Sequence, residues 1–173
     1  GYFFLQNLSS MIPPLILQPS GDDRILDLAA APGAKTTQMA ARMNNKGTIV
    51  ANDITDDRLK ALRGNLQRCG VVNALVTNMD GKFLHKSKMT FDKILLDAPC
   101  TGTGTLSPRI LKTTSEHSIR KLSNIQKQML SSAASSLNDG GVLVYSTCSL
   151  EPEENEGNID YAVRKLGLAA EKI

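Results

Sequence analysis

Short apolar runs alternate along the chain with segments whose apolar residues recur every three or four positions. The first pattern predicts strands that are buried on both faces, and the second predicts helices packed against them. Five runs in the 173 residues are predicted to be strands: 24–29, 48–53, 73–78, 91–96 and 141–147. The second pattern predicts four helices. The first spans 34–43, and the second lies between Thr55, which can cap it, and Gly70. The third spans 119–137 and is closed by Gly140, and the fourth spans 154–166.

This order of elements predicts the fold class. Strands that alternate with helices form right-handed βαβ crossovers, so we expect an α/β, Rossmann-like, doubly wound and mostly parallel sheet. The length corresponds to a single domain over residues 1–173. A sixth strand would start within 168–173, so we expect the C-terminal strands to be cut short. The chain also begins with Gly rather than Met, which favours a piece of a longer protein.

The first 21 residues carry no charge, but they do not resemble a membrane span or a signal peptide. They lack a basic start, and polar residues and the pair Pro13-Pro14 interrupt the apolar run. We expect a segment packed on the domain, with Ser9-Ser10 opening a short helix before the prolines.

Composition describes an ordinary soluble protein, with 41% hydrophobic and 21% charged residues and a net charge of +3. Three cysteines without regular spacing favour a reducing, cytoplasmic location rather than a secreted scaffold. We expect no metal site, because Cys69, Cys100 and Cys148 are far apart in sequence and His85 and His117 stand alone.

The segment that joins the first strand to the first helix has the composition of a ligand-binding loop. Small residues over 29–34 allow a ligand to approach the backbone, and the helix start offers free N–H groups to an anion. Two nucleotide-binding fingerprints nevertheless fail. A P-loop would need Gly where Ala34 precedes Lys35, and the dinucleotide motif needs three glycines where only Gly33 is present.

Acidic residues at the predicted strand ends indicate an adenosyl ligand. Asp53 ends the second strand, near the position where such folds hold a ribose, and Asp80 follows the third strand, where it could face an adenine. A cationic sulfonium group would be favoured near Asp27. The alternative for Asp53 and Asp80 is a helix cap or a solvated turn.

Two cysteines follow the fourth and fifth strands. Since these strands should be neighbours, Cys100 and Cys148 would face each other across one crevice, as a nucleophile and a helper. A thiolate needs a feature that lowers the thiol pKa, and Lys35 is one candidate. The alternative for Cys100 is an ordinary buried cysteine, and Cys69 is expected to be structural.

The segments DLAAAPGAKT (27–36), DAPCTGTG (97–104) and YSTCSLEPEENE (145–156) resemble motifs of the RNA cytosine-5 methyltransferases of the NOP2/Sun and RsmB type. Residues 1–14 are similar to the N-terminal motif of that family. The resemblance spans nearly the whole chain, although the family loop usually has Gly where Ala34 stands.

The resemblance implies a class I S-adenosylmethionine-dependent enzyme that methylates C5 of cytosine in tRNA or rRNA, nucleolar if the source is eukaryotic. Cys148 would attack C6, Cys100 would assist release, and Asp97 and Lys35 would complete the catalytic set. The cofactor-binding residues implied in this way are Ala29, Ala30, Ala31, Pro32, Gly33, Ala34, Lys35, Asp53, Arg58, Asp80 and Asp97. A fragment that binds the cofactor or RNA without turnover is the competing hypothesis.

Support for RNA contact from the residues themselves comes from one basic stretch. Residues 108–127 contain five basic side chains and one acidic one, which indicates a phosphate-facing surface or a solvated helix face. The four glutamates of 151–156 are expected to interact with the dipole of the last helix. The basic residues are Arg109, Lys112, Arg120, Lys121 and Lys127.

Overall fold

The computed structural model describes residues 3–172 and contains one five-stranded sheet in which every pairing is parallel. The strand order is β3-β2-β1-β4-β5, which confirms the Rossmann-like prediction. The strands are β1 (Arg24–Asp27), β2 (Thr48–Asp53), β3 (Ala74–Asn78), β4 (Phe91–Asp97) and β5 (Leu137–Ser146).

Helices cover both faces of the sheet. α2 and α3 pack on one face together with α1, while α5 and the 3-10 segment Gly81–Ser87 pack on the other, with α6 against α5. This arrangement buries the apolar strands on both sides, as their composition predicts. The helices are α1 (Leu8–Leu17), α2 (Ala34–Arg42), α3 (Asp56–Arg68), α4 (Pro108–Thr113), α5 (Glu116–Ala134) and α6 (Glu156–Leu166).

The strand order reverses direction at β1, which has β2 on one side and β4 on the other. In doubly wound sheets, ligands bind beyond the carboxyl ends of the strands at such a switch point. The pairing of Asp97 with Ser146 brings the ends of β4 and β5 to the same level. The loops that follow β1, β4 and β5 therefore meet at one edge of the sheet.

The predicted boundaries of α1 and α5 are wrong. α1 begins at Leu8 and continues through Pro13 and Pro14, which are both buried. A proline removes a backbone donor from a helix, but packing of these two rings against the domain outweighs that loss here. The second boundary is that of α5, which starts at Glu116 because Ser115 and Ser118 form a reciprocal cap.

The C-terminal end of the sheet also differs from the prediction. β5 starts at Leu137, so Gly140 lies inside the strand instead of closing α5, beside a register shift in the pairing with β4. β5 is one of the two edge strands of the sheet. Residues 168–172 form no strand, and Ile173 and the first two residues of the N-terminal motif lie outside the described part. In residues 3–172 no helix is long and apolar enough to cross a membrane.

Candidate active site

The two predicted cysteines meet at the carboxyl ends of β4 and β5. The Sγ atoms of Cys100 and Cys148 are 3.1 Å apart, and the backbone N–H of Cys148 donates to Sγ of Cys100 at 3.2 Å. Cys148 is exposed and Cys100 is half-buried. Cys148 is therefore the more accessible of the two thiols, and the less exposed thiol of Cys100 lies in contact with it.

This contact makes the two thiols unlike. Hydrogen bonding from the Cys100 thiol lowers the pKa of Cys148 to about 7, against the opposing effects of burial and of Asp97. The same hydrogen bond, together with burial, raises the pKa of Cys100. The positive charge of Lys35 also lowers the pKa of Cys148, but it is the smallest contribution. The prediction that Lys35 favours the thiolate agrees in direction with this effect, but the hydrogen bond from Cys100 contributes most.

The loops that carry the two thiols are joined to each other directly. Gly104 N–H donates to the carbonyl of Cys148 at 3.0 Å, and Leu150 N–H donates to the hydroxyl of Thr103 at 2.9 Å. A Cβ atom at Gly104 would lie 2.9 Å from the Cys148 carbonyl oxygen, so this approach requires glycine. The short distance between the thiols is thus built into the backbone.

Lys35 and Asp97 form an ion pair across the same edge of the sheet. Lys35 Nζ lies 2.6 Å from Oδ2 of Asp97, and the Ser146 hydroxyl donates to Oδ1 at 2.7 Å. Both oxygens of the carboxylate are therefore held. This ion pair links the first turn of α2 to the end of β4, three residues before Cys100.

A cleft lies between the segment that joins β1 to α2 and the end of β4. A buried carboxyl at its base, Asp27, accepts a hydrogen bond from the Thr36 hydroxyl at 2.6 Å. Burial raises the pKa of Asp27 to about 7, although the Thr36 hydrogen bond acts in the opposite direction. The lining residues are Asp27, Ala29, Ala30, Ala31, Pro32, Ala34, Lys35 and Asp97, which include most of the predicted cofactor residues.

Asp53 and Arg58 do not line this cleft but fix its wall. Asp53 accepts hydrogen bonds from Ala31 N–H at 3.0 Å and from Ile54 N–H at 2.8 Å, and Arg58 lies 3.2 Å from its carboxylate. Arg58 also donates to the carbonyl of Ala31 at 3.1 Å. The pair therefore holds the loop after β1 in place, with Asp53 buried and Arg58 half exposed.

Gly33 and Asp80 also lie away from the cleft lining. Gly33 precedes α2 with a φ of 104°, which favours glycine, and an added Cβ would lie 2.9 Å from Leu62. Asp80 caps the 3-10 segment by accepting from Lys82 N–H at 3.1 Å, and it pairs with the Lys82 side chain. Asp80 therefore makes the contacts expected of a helix cap, which was the alternative to a role in facing an adenine.

The interpretation of Glu154 as a group serving the dipole of the last helix is wrong. Its side chain is completely buried and accepts hydrogen bonds from Thr101 and Gln126, while α6 begins only at Glu156. Asn158 and Ala162, both buried and four residues apart, lie on the face of α6 toward α5, and the buried Glu154 continues this spacing before the helix begins. That spacing was the signal available in the sequence, whereas nothing there singled out Gln126.

The described residues contain no group of three or more His, Cys, Asp or Glu side chains that could hold a metal ion. The third cysteine, Cys69, caps the end of α3 and lies far along the chain from the thiol pair. The chemistry available at this edge of the sheet is therefore that of a thiol pair beside a cleft with carboxylates and one lysine.

The family model described as 16S rRNA methyltransferase RsmB/F matches residues 14–170. The chain is 45% identical over 175 residues to a tRNA (cytosine(49)-C(5))-methyltransferase of Pyrococcus abyssi, covering all of this chain and 56% of that protein. It is 46% identical over 171 residues to the human 28S rRNA (cytosine(4447)-C(5))-methyltransferase, covering 95% of this chain and 21% of the relative.

Among solved structures, NSun6 of Pyrococcus horikoshii with SFG superposes with a TM-score of 0.91 at 44% identity. The match covers 95% of this chain and 43% of that one. The chain therefore spans between about a fifth and just over half of the length of these proteins.

Proposed function

Because the chain belongs to the RsmB/F family of methyltransferases, we propose that it transfers a methyl group from S-adenosylmethionine to C5 of cytosine in RNA. Two relatives are named as cytosine-C5 methyltransferases acting on tRNA or rRNA, and a structural relative was solved with SFG, an analogue of this cofactor. The observation that carries the proposal is the 3.1 Å contact between Cys100 and Cys148 beside the cleft.

The residues around the cleft fit the cofactor. Small side chains over 29–34 leave the backbone accessible, and the first turn of α2 directs free N–H groups outward, where a carboxylate is favoured. Asp97 supplies negative charge for positively charged groups of the ligand, and a cationic group near Asp27 would favour the ionised form of that carboxyl. We assign Asp53 and Arg58 the role of holding the loop through Ala31, next to the ribose.

Cys148 is the proposed nucleophile. Cytosine C5 is a poor nucleophile until a thiolate adds to C6, which gives C5 the character of an enamine carbon. A pKa of about 7 means that a large fraction of Cys148 is thiolate at neutral pH. When bound, S-adenosylmethionine supplies the electrophilic methyl group that C5 accepts.

Cys100 is the proposed helper in release. After methylation a base takes the C5 proton, the C5–C6 double bond re-forms, and the S–C6 bond breaks with its electron pair returning to Cys148. Cys100 keeps its proton because its pKa is raised, so its S–H can stabilise the departing thiolate. Asp97, oriented by Lys35 and Ser146, is positioned to hydrogen-bond the ring edge.

The RNA backbone is proposed to contact α4 and the start of α5. A Cβ atom at Gly102 would lie 3.4 Å from Ile110 and 3.8 Å from Cys148 Sγ, so α4 flanks the thiols directly. Arg109 and Lys112 of this helix are exposed, which suits contacts with phosphates. The target base must leave its stack to reach Cys148.

The test is incorporation of labelled methyl groups from S-adenosylmethionine into tRNA and rRNA pools, followed by mapping at base resolution. We expect 5-methylcytosine with the wild-type chain and none with Cys148→Ala. Cys100→Ala should accumulate a protein–RNA adduct that survives a denaturing gel. Turnover by Cys148→Ala would refute the nucleophile assignment.

A second candidate function is binding without turnover, which the partial coverage of the relatives favours. In that case S-adenosylhomocysteine should bind in calorimetry while no RNA pool acquires label. Binding together with label incorporation would exclude this candidate.

A further inference from the structure

We propose that Glu154 is a positioning residue that holds Cys100 against Cys148, so that the thiol pair depends on a side chain that touches no substrate. The inference rests on the proposed function for its consequence, because the release step uses the contact between the two thiols. Its structural basis is a set of hydrogen bonds that surround Cys100 on both sides.

The first of these contacts lies immediately after Cys100. The carboxylate of Glu154 accepts the backbone N–H of Thr101, at 3.1 Å to Oε1 and 3.3 Å to Oε2, and its Oε2 also accepts the Thr101 hydroxyl. Glu154 is completely buried. A buried carboxylate is costly unless its oxygens are satisfied, and here Thr101 provides that compensation.

The second contact lies immediately before Cys100. The buried side chain of Gln126 donates from Nε2 to Oε1 of Glu154 at 2.9 Å and to the carbonyl of Pro99 at 2.8 Å. Its own oxygen accepts from Asn158 at 2.7 Å, which fixes the amide orientation. The peptide groups on both sides of Cys100 are therefore held by Glu154 and Gln126, which sit on separate elements.

Glu154 is tied to the other thiol as well. It follows Cys148 by six residues, and its carbonyl accepts the hydroxyl of Tyr145 at 2.6 Å. Tyr145 lies in β5, three residues before Cys148. One residue thus connects the loop after β4 with the strand and loop that carry the nucleophile.

The carboxylate of Glu154 suits this position because its oxygens accept from every group that faces them. Both oxygens face donors, and the backbone N–H of Thr101 and the amide of Gln126 cannot reverse their role. A glutamine at 154 could keep its oxygen toward those N–H groups and turn its amide toward the Thr101 hydroxyl, which can accept. Glu154→Gln should therefore preserve the position of Cys100, and Glu154→Ala should release it.

The experiment follows the pH dependence of Cys148 alkylation by iodoacetamide in the purified chain, read on the Cys148 peptide by mass spectrometry. Besides Cys100, the groups that act on Cys148 are Asp97 and Lys35, which none of the variants changes. The wild-type profile should have its midpoint near pH 7. Glu154→Ala should move it upward by about one pH unit, toward an ordinary thiol, and Glu154→Gln should restore most of the shift.

Glu153→Ala is the matched control, because Glu153 is an exposed neighbour and its removal should leave the profile unchanged. Circular dichroism establishes that each variant is folded. If Glu154→Ala does not fold, Gln126→Leu decides instead, since it removes the donor to both Pro99 and Glu154. If Glu154→Ala or Gln126→Leu folds and keeps the wild-type midpoint of Cys148 alkylation, the proposal is overturned.

The proposed function fails separately from this inference. Alkylation needs neither RNA nor cofactor, so a shifted midpoint without methyl transfer by the wild type would refute the function and retain the positioning role. Methyl transfer by the wild type, together with unshifted alkylation midpoints in the variants, would retain the function and refute the positioning role. If the proposed function and the positioning role both hold, Glu154→Ala should increase the fraction of trapped RNA adduct on denaturing gels.

Discussion

Lys35 Nζ lies 2.6 Å from Oδ2 of Asp97, which joins the first turn of α2 to the end of β4. The lysine is 15% exposed and the carboxylate 35% exposed, so the pair is partly shielded from water. Lys35 lines the cleft, and Asp97 precedes Cys100 by three residues. The ion pair therefore connects the proposed cofactor site to the proposed chemistry.

Lys35→Met tests this connection. It removes the cation that orients Asp97 while keeping a side chain of similar length, and we expect methyl transfer to fall by about 100-fold, as when one preorganised polar contact is removed from an active site. Lys93→Met is the matched control, since Lys93 pairs with Asp23 at 2.9 Å with similar exposure at the amino ends of the strands. Wild-type turnover by Lys35→Met would show that Asp97 needs no cation.

The arrangement of strands was predictable because it follows from local composition. Apolar runs flanked by polar ends predicted all five strands, and Asp53 ends β2 as expected, while β4 extends one residue further than predicted, to Asp97. The parallel order then required Cys100 and Cys148 to meet. That meeting depended only on which strands are neighbours, and the two sulfur atoms are in contact.

Other features depend on contacts between distant parts of the chain and were not predictable. Leu137 continues the helical spacing of α5, but pairing with Phe91 draws it into β5. Glu154 was expected, with three other glutamates, to interact with the dipole of the last helix, yet it is buried and accepts hydrogen bonds from Thr101 and Gln126. Local pattern carries no information about such partners.

The low pKa of Cys148 should depend on Cys100. We expect wild-type Cys148 to reach half of its maximal alkylation rate near pH 7, and Cys100→Ala to shift that midpoint toward about 8.5, the value of a free thiol. The physical reason is loss of the hydrogen bond that stabilises the thiolate. Cys69→Ala is the control and should leave the midpoint unchanged. An unchanged midpoint in Cys100→Ala would assign the thiolate to other groups.

Gly104→Ala should separate the thiol loops. The new Cβ would lie 2.9 Å from the Cys148 carbonyl oxygen, a backbone atom that cannot move alone. We expect a loss of about 1–3 kcal/mol in the free energy of unfolding, measured in urea, and a raised alkylation midpoint for Cys148.

Gly64→Ala is the matched control for that substitution. No atom lies within 4 Å of a Cβ at Gly64, which sits inside α3, so this change should stabilise the protein by about 0.5–1 kcal/mol. Equal effects of the two substitutions would show that the thiol loops are not in close contact in solution.

Asp27→Asn should remove a pH-dependent loss of stability. The folded pKa of Asp27 is about 7, above its ordinary value of 3.8, because burial disfavours the carboxylate. Its contribution to stability is therefore complete below about pH 3.8, falls as the pH rises and levels off above 7. Relative to Asp27→Asn, which keeps an acceptor for Thr36, the wild type should lose roughly 2–4 kcal/mol between pH 4 and 7.5 in urea unfolding.

Asp92→Asn is the control. The pKa of Asp92 is lowered by hydrogen bonds from Arg24 and Asn138, so the difference in unfolding free energy between this variant and the wild type should be nearly constant over this range. A constant difference for Asp27→Asn as well would mean that Asp27 is ionised throughout.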